Sequence, residues 1–276
     1  MTVDVNVLRV KAAPLLTALM LTLTACDRAA EPPQLDPPAA RHARAVRVVG
    51  VSAATPLVTR LVRSFAARIA GLPLVVEAPL SQVGAEAALA DGVVDAAVVL
   101  RSASDPPPPN GVRLARTMPL LVVGPGVPIR RVGAADLARR LTDPQPRWPD
   151  GHPLRLILRP LDDPLQRAVA AMHPDLEAAI AEAVKARRFR VVPHDAELRE
   201  ALRATPGAIA VTDLGGLRMH ATPLWRVRLN EGRPKPVDVW LLTGETPAPR
   251  LRAFFDFATS ADGRSLVGDL GYGVPR

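Results

Sequence analysis

The chain has 276 residues, 48% of them hydrophobic, with 35 basic, 27 acidic and a single cysteine. One cysteine excludes a disulfide framework within the chain, and 3% aromatic content argues against a nucleic-acid surface built on base stacking. About 230 residues remain beyond the N-terminal segments, enough for two small lobes or one large domain.

Arg9 and Lys11 precede an uncharged run from Ala12 to Ala25. That run has the length of a signal-peptide core and falls short of the ~20 apolar residues a spanning helix needs. It ends in Leu23-Thr24-Ala25-Cys26, which resembles the lipobox of bacterial lipoproteins. Residues 1–25 are therefore expected to be a signal peptide, and Cys26 the lipid-modified first residue of the mature protein. Asp27 resembles the signal that keeps enteric lipoproteins at the inner membrane. Residues 26–45 carry four prolines, several charges and few large apolar side chains, as a tether does. Beyond them stand thirty basic against twenty-three acidic residues, a surplus that favours anionic partners and that a GC-rich coding bias also produces.

Residues 46–51 read as a buried strand. Pro56 opens a helix carrying Leu57, Leu61, Phe65 and Ile69 at helical spacing, with Gly71 as its stop. Residues 72–78 form a second strand, Ser81 starts a helix with Val83, Ala87 and Leu89 apolar, and residues 93–100 form a third strand. This alternation predicts a parallel sheet with crossover helices. Residues 101–111 are a proline loop and 119–123 a strand. A helix over 132–141, a strand over 154–158, helices over 164–172 (capped by Asp163) and 175–188, and a strand over 189–192 follow. A helix over 196–204, strands over 207–211 and 237–242, and helices over 249–257 and 263–270 complete the order.

Five patterns carry a resemblance. They are Gly50-Val51-Ser52-Ala53-Ala54-Thr55-Pro56-Leu57; Ser81-Gln82-Val83-Gly84 with Ala90-Asp91-Gly92-Val93-Val94-Asp95; Arg159 at a strand end; Thr205-Pro206-Gly207-Ala208-Ile209-Ala210; and Phe254 to Ser260 followed by Gly271-Tyr272-Gly273-Val274-Pro275. Their order resembles the periplasmic phosphate-binding proteins of ABC transporters, the PstS-like group of the type 2 solute-binding fold. The resemblance implies an α/β fold of two lobes, each a mainly parallel sheet flanked by helices, joined by two crossover segments. Lobe 1 maps to residues 46–122 plus 224–276 and lobe 2 to 123–223. It also implies a non-enzymatic role in the periplasm, with a small anionic solute such as phosphate in the cleft and a transporter permease as partner.

A dehydrated oxyanion needs many donors, and helix N-termini and hydroxyls supply them. The resemblance places Ser52, Ala53, Thr55, Ser81, Arg159 and Asp162 at the ligand. Each hydroxyl is equally suited to plain helix capping, and Arg159 to a solvated strand end. Where the related group has a Ser-Gly-Thr loop, this chain has Leu161-Asp162-Asp163-Pro164, whose carboxylates repel a dianion. The five histidines (His42, His152, His173, His194, His220) lack metal-ligand spacing, so no metal or cofactor is expected. The sequence has no Gly-x-Ser-x-Gly, His-Glu-x-x-His or P-loop motif. The runner-up reading is a degenerate binding fold serving as a sensor or assembly partner, with an enzyme behind it.

Overall fold

The computed structural model of the protein describes residues 45–69, 73–219 and 224–275. The signal peptide, Cys26, nearly all of the tether, Gly71, His42 and His220 lie outside the described residues. Short apolar runs closed by glycine or proline become strands, and amphipathic runs between them become helices.

The chain begins with β1 (Val46–Gly50), a 3-10 turn over Ser52–Ala54 and α1 (Thr55–Ala66). Next come β2 (Leu74–Val76), α2 (Gln82–Ala90), β3 (Ala96–Ser102), β4 (Gly111–Thr117) and β5 (Pro119–Val123). The middle of the chain runs through β6 (Arg131–Val132), α3 (Ala134–Thr142), β7 (Arg155–Leu158), α4 (Pro164–Ala170) and α5 (Pro174–Lys185). It continues through β8 (Arg190–Val191), α6 (Asp195–Ala204), β9 (Ala208–Asp213) and α7 (Leu214–Met219). The last elements are β10 (Trp225–Leu229), β11 (Val237–Thr243), α8 (Pro249–Thr259) and α9 (Ala261–Asp269).

These strands form two sheets, ordered β2-β1-β3-β11-β4 and β6-β10-β5-β9-β7-β8. In each, parallel βαβ pairs supply one half (β1 with β2 and β3; β7 with β8 and β9). Antiparallel pairing enters where β11 returns beside β3 and β4, and where β5 lies beside β9 and β10. Two segments join the sheets, one at Met118 between β4 and β5 and one over residues 230–236 between β10 and β11. The divisions thus fall before β5 and after β10, where the sequence reading put residues 119–122 and 224–229 in lobe 1. The cause is backbone pairing, which apolar periodicity does not report: β5 and β10 bond to each other and not to the first sheet.

Three strands have no counterpart in the sequence reading: β4, β10 and the two-residue β6, whose Val132 falls where the helix over 132–141 is expected to open. β10 (Trp225-Arg-Val-Arg-Leu) alternates arginine with apolar residues, as half-exposed strands do, and β4 (Gly111-Val-Arg-Leu-Ala-Arg-Thr) carries Arg113 and Arg116 on either side of the buried Leu114 and Ala115. On α2, Val83 is exposed and Ala85 is the buried residue, because Gln82 turns inward to accept from the Leu100 N–H at 3.2 Å. The expected apolar face of that helix is therefore rotated.

One apolar core runs through both sheets, and a second cluster, around Ile157, Leu198 and Leu202, packs α6 against the second sheet. Phe65 of α1 packs edge-on to Phe254 and against Phe257, with ring centroids 5.5 and 5.4 Å apart, so α8 fastens the chain end to the first helix. Gly207 opens β9 with φ +77°, and a Cβ there would lie 1.9 Å from the Pro153 carbonyl oxygen. The Gly207 carbonyl also accepts from the buried Trp148 indole at 2.9 Å. Left-handed backbone and steric contact both demand glycine. Gly207→Ala should cost roughly 2–4 kcal/mol and lower the melting temperature by about 5 °C or more, measured by circular dichroism. An unchanged melting temperature contradicts this account of the turn.

Candidate functional site

The site lies where three segments meet: the turn after β1, the start of α2, and the C-terminal end of β7 with the loop into α4. Open α/β sheets place ligands at the carboxyl ends of strands. Arg159 follows β7 and is 1% exposed. Its Nε–H donates to the Val211 carbonyl at 2.9 Å, Nη1 donates to Asp163 Oδ2 at 3.2 Å, and Nη2 donates to Asp195 Oδ1. Burial alone would lower its pKa, but Asp195 and then Asp163 hold the guanidinium charged well above the ordinary arginine value.

Asp195 is the first residue of α6 and belongs to the second sheet's layer, yet its backbone N–H donates to Ser52 Oγ at 2.6 Å. One residue therefore holds the arginine of the second lobe through its carboxylate and the serine of the first through its backbone. Ser52 is 8% and Asp195 7% exposed, so the link is buried.

Asp163 does two jobs. Oδ1 accepts from the Leu165 and Gln166 N–H groups at 2.9 and 3.1 Å, capping α4, while Oδ2 takes Arg159. Asp162 is exposed and lines the mouth of the site beside it. Ser81 caps α2, its Oγ accepting from the Gly84 N–H at 3.1 Å. The Thr55 hydroxyl donates back to the Val51 carbonyl at 3.2 Å. Ala53 is buried, and its carbonyl accepts from the Tyr272 hydroxyl at 3.3 Å. The structure thus brings together Ser52, Ala53, Ser81, Asp162 and Asp163 around a cavity of about 30 Å³, roughly the liquid volume of one water. The Thr55 hydroxyl turns back into its own helix. Of the histidines, His173 caps α5 through Nδ1, and His152 sits on the surface beside Asp150.

Behind Arg159 lies a third carboxylate. Asp213 ends β9, is 1% exposed, and accepts from Thr117 Oγ1 at 2.9 Å and from the Gly216 N–H at 2.7 Å. Burial and the Asp195 charge push its carboxyl up to about 6, against the pull of Gly216, Thr117 and Arg159. Tyr272 completes the group; burial and then the charges of Asp213 and Asp195 push its phenol well above its ordinary value. Its ring presses on Gly215, where a Cβ would lie 2.2 Å away.

Sequence reasoning missed Asp195, Asp213 and Thr117. Asp195 and Thr117 carried no local signal beyond an acid in the first turn of a helix, and their role comes from contacts spanning 143 and 96 residues. A larger cleft of about 610 Å³ shares Gln82, Leu100, Asp162 and Pro164 with the small cavity and opens beside it between α2, β3, α4 and the second crossing segment.

No family model matches the sequence, and no curated protein matches it. Solved structures do match its fold. A putative phosphate ABC transporter substrate-binding protein with bound phosphate from Clostridium perfringens superposes with a TM-score of 0.67 at 11% identity, over 84% of this chain and 100% of that one. The periplasmic molybdate-binding protein of Azotobacter vinelandii gives 0.60 at 12% identity, over 84% and 100%. A reduced form of OxyR from N. meningitidis gives 0.55 at 15% identity, over 77% and 93%. The chain therefore has the two-sheet α/β fold that these phosphate-binding, molybdate-binding and OxyR structures share, the type 2 periplasmic-binding-protein fold expected from its sequence.

Proposed function

We propose that the protein is an extracytoplasmic solute-binding lipoprotein of an ABC-type uptake system, non-enzymatic and anchored through Cys26 to the inner membrane, whose cleft takes a small anion at Ser52, Ala53, Ser81 and Arg159. The observation that carries this reading is a fully buried arginine at a strand end between two sheets, beside a small-residue turn and a capped helix start. Among the described residues no helix is long and apolar enough to cross a membrane, and a lipid on Cys26 would supply attachment.

In this reading the Asp195 carboxylate occupies the place of the anion. Ligand and Asp195 compete for the same guanidinium, and Asp163 and Asp213 add negative charge nearby. A singly charged anion is favoured over divalent phosphate on Coulombic grounds. The same contact favours a second reading, a binding-protein fold permanently closed on its own carboxylate and acting as a sensor or assembly partner.

Calorimetry with phosphate, sulfate, nitrate and acetate separates the two. Wild type should bind weakly, and Asp195→Asn, which keeps the shape and removes the charge, should tighten binding about tenfold or more. Arg159→Gln should abolish it. No binding by wild type or by Asp195→Asn would leave the closed fold as the function.

Asp213 supplies a pH dependence. Its carboxyl is raised in the folded protein, so it is neutral below about pH 6 and charged above. An anion at Arg159 meets one fewer negative charge on the acid side, and binding there takes up a proton. Sulfate, whose own charge is constant in this range, should bind about tenfold tighter near pH 5 than near pH 7.5. Asp213→Asn should flatten that profile, and a flat wild-type profile would contradict the assignment.

A further inference from the structure

The surplus of positive charge noted in the sequence is not spread evenly. Arg130, Arg131, Arg226 and Arg228 alone line a groove of about 290 Å³ at the β6–β10 edge of the second sheet. An adjoining cavity of about 200 Å³ shares Arg131, Arg226 and Arg228 and adds Arg233. All five are exposed, and none forms an ion pair with an acidic side chain among the described residues. The acid nearest in sequence, Glu231, pairs with backbone at the same edge: its Oε1 accepts from the Ala134 N–H at 2.7 Å, at the start of α3 just after β6.

The fold builds this concentration. The parallel pairing of β10 with β6 sets Arg228 opposite Arg131, while Val227 and Leu229, on either side of Arg228, face the core. Arg226 therefore shares the outward face with Arg228. Arg130 lies with its guanidinium 4.4 Å over the ring of Trp225, itself 49% exposed. Four guanidinium groups around one groove repel one another unless counter-anions fill it, and arginine's planar fork matches phosphate oxygens.

We propose that this edge is a membrane-contact surface that takes the phosphate groups of anionic lipids. The shared chemistry is the phosphate group, which a free ion also carries. Trp225 favours the lipid surface, since an exposed indole beside basic residues suits the headgroup region. The tether points the same way: twenty residues reach at most about 70 Å, so a chain with lipid on Cys26 stays close to the bilayer. Several arginines and an anionic surface then act together. The surface is separate from the anion cleft, and its test is independent of what that cleft binds.

The test is vesicle co-sedimentation of the full chain carrying Cys26→Ser, which removes the lipid, against the same chain carrying Arg226→Ser and Arg228→Ser as well. The N-terminal segment is common to both chains, so its own affinity for vesicles cancels in the comparison. On vesicles containing phosphatidylglycerol the double variant should partition about thirtyfold less. On pure phosphatidylcholine the two should be equal. Millimolar inorganic phosphate should leave the difference standing. Matching far-ultraviolet circular dichroism confirms that both chains fold. Equal partitioning on the anionic vesicles overturns the proposal. So does a phosphate-induced rise in melting temperature that only the arginine-bearing chain shows, with no difference on vesicles, which would make the groove a site for free phosphate.

Discussion

The contact on which the architecture depends is the buried link from Ser52 through Asp195 to Arg159. It joins the turn after β1 to the helix after β8 and to the end of β7, and so holds one lobe against the other. A buried arginine is tolerated only when paired, and removing one member of such a pair typically costs about 3–5 kcal/mol. Asp163 and the Val211 carbonyl complete the pairing, and three of the five guanidinium N–H donors are thereby engaged within the protein. The two lobes are thus joined at this point by groups the chain carries itself.

That arrangement reframes what the acidic loop after β7 does. Read from sequence, Leu161-Asp162-Asp163-Pro164 places two carboxylates where donors to an anion are expected. In the structure Asp163 is both helix cap and arginine partner, while Asp162 stays at the rim. The strongest counter-charge comes from Asp195, thirty-six residues on. The same fold in a phosphate-binding protein and in OxyR shows that the scaffold does not dictate the ligand.

Much of the scaffold was legible because strands buried on both faces are short apolar runs with sharp ends. β1, β3 and β9 read this way, and Asp163-Pro164 announced α4. β4 and β10 did not, since the arginines interspersed in them resemble a loop until their pairing is known. The lobe divisions slipped for the same reason. Of the candidate site, Ser52, Ser81 and Arg159 are marked through the resemblance, local pattern leaving them equally suited to capping or a strand end, whereas Asp195, Asp213 and Thr117 make their contacts with partners far along the chain. The arginine surplus could be counted from sequence but not located.

The most direct test is a pair of crystal structures of the full chain, one grown in chloride and one in high sulfate or nitrate. The account predicts that the anion lies on the Arg159 guanidinium and that Asp195 Oδ1 has moved beyond hydrogen-bond distance of Nη2. An anion bound in the cleft with the Arg159–Asp195 contact intact would contradict it.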